Sequence, residues 1–149
     1  MSPSFDPALG LLFVTARDSC GTFYTWQDEY KPGDGFRGGA VQRLDQVQHA
    51  ALRAIDVATG ERRWESPYTA QSWAGVLSTA SGLLFAGSSG NFMAFDARSG
   101  KNLWHYQTGS ALYAGATTYM LDGRQYVLMP SGTTLTAFAL SEAAPAGGR

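Results

Sequence analysis

At 149 residues, with 44% hydrophobic and 15% charged side chains, the chain has the size and mixture of one globular domain able to bury a core. A formal net charge of −1 with scattered basic residues leaves no electrostatic footprint for nucleic acid or an anionic membrane surface, and no apolar run approaches the roughly 20 residues that span a bilayer. The single cysteine, Cys20, excludes an intramolecular disulfide and any cysteine-based zinc cluster.

The opening "MSPSFDPALG" has no basic start followed by an apolar stretch, so no signal peptide is expected in it. Then come short aliphatic or aromatic segments bounded by Gly, Ser, Asp or Thr, each the size of a strand: "GLLFVTA" from Gly10, "ALRAIDV" from Ala51, "GLLFAGS" from Gly82, "NFMAFDA" from Asn91, "KNLWHYQ" from Lys101, "QYVLMP" from Gln125 and "TLTAFAL" from Thr134. No segment carries a sustained helical stripe; the best candidate, Leu44 to Ile55, fits alternation at least as well near its end. The Pro/Gly-rich end, 141–149, is expected to be a disordered tail. The class is all-β.

Two of these segments spell one phrase. "AIDVATGERRW", Ala54 to Trp64, returns forty residues later as "AFDARSGKNLW", Ala94 to Trp104, with Ala, Asp, Gly and Trp at the same places. "GLLF" recurs at Gly10 and Gly82, a separation of 72, so the first copy carries about 32 extra residues, placed at 18–49. A weaker third copy sets Gly123 against Gly82 and Ala137 against Ala94, and stops before the Gly and Trp arrive. A period near 40 with about four strands per copy is the arithmetic of propeller blades. In that setting Asp56 and Asp96 cap turns that Gly60 and Gly100 close at positive φ, and Trp64 and Trp104 are expected to be buried at the seams between sheets.

The spacing Ala, Asp, Gly, Trp is the tryptophan-docking motif of PQQ-repeat propellers. The surrounding text, "SPSFDPALGLLFVTA", "SWAGVLSTASGLLFAGSSGNFMAFDARSGKNLWHYQTGS" and "YMLDGRQYVLMPSG", resembles the C-terminal part of the pyrroloquinoline-quinone (PQQ)-dependent alcohol dehydrogenases. The resemblance implies a partial β-propeller of about three blades, the last incomplete, with blades over 8–66 (insertion 18–49), 75–107 and 113–140. It also implies a periplasmic parent enzyme with PQQ and a calcium or lanthanide ion on the axis of an eight-bladed ring. That parent oxidises alcohols by hydride transfer to the quinone and passes electrons to a cytochrome or quinone acceptor. The family's base and metal ligands match no position here, so the chain alone is expected to be inactive, to hold no cofactor stably, and to pair with the remaining blades or with itself. A non-catalytic PQQ-repeat scaffold that binds protein partners is the alternative.

Two residues are candidates for the cofactor face. Trp73, in "SWAG", corresponds to the family's Trp-Gly-Gly or Trp-Ala-Gly element and is expected to stand outside the forty-residue grid. Arg17, in "VTARDS", takes a position where some members have asparagine near the quinone, and its guanidinium fork suits the carboxylates of an acidic cofactor. No catalytic or metal-ligating residue is assigned. The 18–49 insertion, with Tyr24, Trp26, Asp28, Glu29, Tyr30 and His49, has a composition suited to a substrate entrance, but Asp28 and Glu29 have no third ligand at diagnostic spacing.

Overall fold

The computed structural model describes residues 1–43 and 49–141. The tail expected over 141–149 therefore lies outside the described residues from 142 onward, as does the 44–48 part of the one helical candidate. The chain is all-β: thirteen strands, and no helix among the described residues.

The first sheet has the order β1-β2-β5-β6, from β1 (Ser4–Asp6), β2 (Leu11–Asp18), β5 (His49–Asp56) and β6 (Arg62–Pro67). A separate hairpin, β3 (Gly21–Thr25) with β4 (Gly39–Arg43), occupies the inserted segment. The second sheet is β7 (Leu77–Ser78), β8 (Leu83–Ser88), β9 (Asn91–Asp96) and β10 (Asn102–Gln107), again four strands in sequence order. The third has three described strands, β11 (Thr117–Leu121), β12 (Arg124–Ser131) and β13 (Thr134–Phe138).

The repeated phrase builds the same turn twice. The Asp56 carboxylate accepts from the backbone N–H groups of Ala58 and Thr59 at 2.9 and 3.2 Å, and Gly60, at φ +75°, returns its N–H to the Asp56 carbonyl at 2.8 Å. Asp96 holds Arg98 and Ser99 in the same way, at 3.2 and 2.8 Å, with Gly100 at φ +71° closing on the Asp96 carbonyl at 2.9 Å. Asp-x-x-x-Gly also occurs at "DPALG", where Asp6 caps Ala8 and Leu9 and Gly10 closes on the Asp6 carbonyl, turning β1 into β2. A carboxylate two residues ahead of orphan N–H groups satisfies them locally, and glycine accepts the left-handed conformation without a Cβ clash.

Burial is concentrated between sheets. One buried cluster joins Leu11, Phe13, Leu52 and Ala54 of the first sheet to Leu84, Ala86, Met93 and Phe95 of the second. Another joins Phe92 of the second sheet to Val127 and Met129 of the third. A fully buried Phe such as Phe13 contributes about 1.5–3 kcal/mol relative to an exposed one, so each sheet is stabilised chiefly by its neighbour.

The docking tryptophans differ. Trp64 pairs across the ladder with Ala54, stacks on Phe13 at 5.8 Å, and donates its indole N–H to the Ala97 carbonyl of the next sheet at 3.0 Å. Its ring lies over Gly100, where a Cβ would come within 2.7 Å of Cδ2. Trp104 pairs with Ala94 and meets Phe138 edge-on at 5.4 Å, yet remains 40% exposed. Against the expectation of two buried seams, neither tryptophan is fully buried: Trp64 is half-buried at the sheet 1 to sheet 2 contact, whereas Trp104 is exposed. Trp64 is covered by the Asp96-to-Gly100 turn, and the third copy has no Asp-x-x-x-Gly after β13 to cover Trp104.

Candidate functional site

The segment between β6 and β7 is pinned from both sides. Tyr68 N–H donates to the Ala50 carbonyl at 2.8 Å, and Ser88 Oγ donates to the Ala70 carbonyl at 2.6 Å. Buried Ser72 donates its hydroxyl to the Gly87 carbonyl and accepts from Ala74 N–H. Ala74 is fully buried and Gly75 lies against Gly115 backbone to backbone, where a side chain would crowd both segments. With its neighbours on both sides buried, Trp73 is turned outward and is 45% exposed.

Arg17 meets it there. The residue lies near the end of β2, paired with Ala50, and its guanidinium carbon stands 5.0 Å from the centre of the Trp73 ring. This is a cation-π arrangement, worth about 0.5–1 kcal/mol where exposed. The structure thus brings together the two residues singled out from sequence, one on β2 and the other in the segment that links the first sheet to the second.

Next to Arg17 the root of the inserted segment is fixed by charge. Arg53 donates through Nη2 to Asp18 at 2.7 Å and through Nε to Glu65 at 2.6 Å, and Arg62 adds a contact to Glu65 at 2.7 Å. His49 sits between the two carboxylates, 3.5 Å from Asp18 and 3.4 Å from Glu65. The hydrogen bond and charge of Arg53 hold both carboxyls below their ordinary range. These groups are solvated, so the network fixes geometry more than it adds stability.

Beyond that root Phe23, Tyr24, Trp26, Tyr30 and Phe36 are all exposed. Asp28, Glu29 and Asp34 line a shallow recess with Lys31 and Phe36. Among the described residues no three His, Cys, Asp or Glu side chains gather as a metal-binding group.

One element escaped the sequence reading. Trp73 was expected outside the repeat grid, but "SWAG" at Ser72 is followed forty residues later by "LYAG" at Leu112. The hydrogen bonds agree: Thr108 N–H donates to the Gly90 carbonyl as Tyr68 does to Ala50. Trp73 therefore belongs to the grid, and Tyr113, 72% exposed, is its counterpart in the next copy. The shared Ala-Gly pair was the available signal; it was hidden because Ser72 and Leu112 fill the preceding position with unlike chemistry. Ser72 hydrogen-bonds Gly87, whereas Leu112 packs its side chain beside the same glycine.

Comparison with known proteins agrees with this geometry. Residues 66–127 match the glucose/ethanol/alcohol dehydrogenase β-propeller domain family, designated PQQ. The quinoprotein ethanol dehydrogenase of Pseudomonas aeruginosa is 38% identical over 121 residues, covering 79% of this chain and 19% of that protein. The 1-butanol dehydrogenase (quinone) of Thauera butanivorans is 35% identical over 132 residues, covering 87% of this chain and 21% of its own length. Among solved structures, a europium-containing methanol dehydrogenase superposes with a TM-score of 0.81 at 30% identity, over 87% of this chain and 24% of that one. The quinohemoprotein alcohol dehydrogenase from Comamonas testosteroni gives 0.78 at 26% identity, over 88% and 22%. The chain spans about a fifth of the length of the curated relatives it matches. Sheet architecture, docking turns and these matches place the chain in the PQQ-dependent (quinoprotein) alcohol dehydrogenase family, as a part of its β-propeller.

Proposed function

We propose that this chain supplies C-terminal blades, about three with the last incomplete, to a PQQ-dependent alcohol dehydrogenase. In this reading the blades span 8–66, 75–107 and 113–140, and Arg17 and Trp73 stand at the cofactor face. The observation that carries it is the guanidinium of Arg17 over the half-exposed indole of Trp73. The pair fits an acidic, planar cofactor in two ways. The cation suits carboxylates, and the indole offers a flat apolar surface beside it. One indole face is already taken by Arg17, so a ligand ring meets the other face or the edge. When bound, PQQ would supply the hydride acceptor. The residues of this chain would bind and orient it, while a base and a calcium or lanthanide site would come from the rest of the ring.

The relatives support the same chemistry by their names, which include quinoprotein, lanthanide-dependent and cytochrome c-linked enzymes. On that basis the parent oxidises an alcohol in the periplasm and hands electrons to a cytochrome or quinone. No helix among the described residues is long and apolar enough to cross a membrane.

The test has two arms. In the polypeptide carrying the remaining blades, Trp73→Ala should lower PQQ retention by more than it lowers thermal stability, with Arg17→Ala giving a smaller loss. Equal cofactor occupancy in mutant and wild type would remove both residues from the site. For the purified 149-residue chain given PQQ and calcium or a lanthanide, reduction of an artificial acceptor with primary alcohols should stay at the level of the protein-free blank. Turnover above that blank would overturn the reading that the active site needs the other blades.

A further inference from the structure

Trp73 stands between two buried residues, Ser72 and Ala74, and one hydroxyl reaches around it. Ser72 Oγ accepts from the Ala74 N–H at 3.2 Å, so the serine side chain closes a ring of atoms that contains the backbone of Trp73. A hydroxyl bonded to the N–H two residues on is an ST turn, and it narrows the φ and ψ open to the enclosed residue. The same hydroxyl donates its proton to the Gly87 carbonyl near the end of β8. Its donor and an acceptor lone pair are thus both used, in a buried position.

The next copy makes the contrast. Gly87 also receives Leu112, whose side chain takes the place of the absent Cβ, so both linking segments lean on one residue of β8. Leu112 has no hydroxyl to form the turn around Tyr113, and Tyr113 is 72% exposed against 45% for Trp73. Ser88, beside Gly87, donates to the Ala70 carbonyl at 2.6 Å. The end of β8 therefore fixes where the first linking segment runs, and Ser72 fixes how Trp73 leaves it.

The Arg17 guanidinium carbon lies 5.0 Å from the centre of the indole, brought there by β2. A cation-π contact needs the ring face presented to the cation, so a change in the backbone angles of Trp73 loses it. We infer that Ser72 is a positioning residue for the Arg17–Trp73 pair: its hydroxyl, shared between the Gly87 carbonyl and the Ala74 N–H, sets the direction of the Trp73 indole. The consequence for PQQ rests on the proposed role of the pair as a cofactor face.

The test is Ser72→Ala, read first by NMR in the 149-residue chain without cofactor. The Arg17 side-chain protons carry a ring-current shift from the Trp73 indole, which Trp73→Ala calibrates. Ser72→Ala should remove most of that shift, while the ring protons of Phe13, in the core between the first two sheets, keep theirs. Ser88→Ala, which loses a hydrogen bond to the same segment outside the turn, should leave the Arg17 shift in place. In the polypeptide carrying the remaining blades, Ser72→Ala should lower PQQ retention about threefold or more, the worth of one modest hydrogen bond. An unchanged Arg17 shift in Ser72→Ala, an equal loss in Ser88→Ala, or changes that spread to Phe13 would each overturn the inference. Loss of the Arg17 shift with PQQ retention unchanged would leave the positioning role standing and remove the pair from the cofactor face.

Discussion

Gly100 carries two constraints at once, and Gly60 separates them. Both hold the left-handed conformation, at φ +71° and +75°, but a Cβ at Gly60 would meet open space, whereas one at Gly100 would run into the Trp64 ring. Gly60→Ala should therefore cost only the backbone term, about 1–2 kcal/mol, and Gly100→Ala a further 1–3 kcal/mol or so for overpacking. Urea denaturation of the two variants measures the difference; equal losses would mean that the tryptophan seat adds nothing. Asp96 makes a pH prediction with a definite sign. Its carboxyl is held below the usual aspartate range, first by the Ser99 hydroxyl and then by the Ser99 N–H. A depressed native pKa contributes stability that is complete above the unfolded value and is lost as pH falls through the native one. Asp96→Asn keeps an acceptor oxygen for the cap, so it should leave folding near neutral pH largely intact and flatten the stability slope below about pH 4. An unchanged slope in acid titrations would assign it to other carboxylates. These residues were legible in the sequence because Asp, Gly and Trp have turn and docking roles that hardly depend on context. Tyr113 was not, because its role rests on equivalence to Trp73, and the flanking Leu112 shares neither the chemistry nor the hydrogen bond of Ser72.

The strands themselves were readable for a related reason: alternation and Gly or Asp punctuation mark a half-buried strand wherever it sits, as in β2, whose Leu11, Phe13 and Thr15 point inward. The inserted segment was readable only as an interruption. Sequence placed it at 18–49, whereas β2 runs on to Asp18 and β5 begins at His49, so its base is paired ladder and the excursion proper carries a hairpin of its own. Composition could not reveal this, because the extension is held by Ala50, Arg53 and Asp18, residues without a strand signature. The equivalence of turns makes the element testable. Ala16 pairs with Ala51 as Ser88 pairs with Asn91, and the second sheet bridges its pair with just Ser89 and Gly90. Replacing residues 17–50 with Ser-Gly should leave the first sheet folded, with the Tyr68 N–H now donating to the new glycine as Thr108 donates to Gly90. Longer loops cost little closure entropy, so a thermal midpoint within a few degrees of the parent chain is expected. Collapse of the cooperative transition would show that the excursion is part of the fold and not carried by it.

At the scale of the whole molecule the sheets are coupled through shared cores, and the strength of coupling differs along the arc. Trp64, stacked on Phe13 of its own sheet, joins the first two sheets by its seat over Gly100 and by an indole hydrogen bond to the Ala97 carbonyl. Trp104, edge-on to Phe92 of its own sheet, joins the second sheet to the third through Phe138, with 40% of its surface still in water. Truncating a well-packed Trp costs about 3–5 kcal/mol, and a half-solvated one proportionately less, because less transfer free energy and fewer contacts are lost. In a stack where each unit contacts only its neighbours, that difference falls on one interface at a time. Trp64→Ala should thus destabilise the chain by about 3 kcal/mol in urea denaturation, and Trp104→Ala by roughly 1 kcal/mol. Equal costs would mean that Trp104 is already as well seated as Trp64.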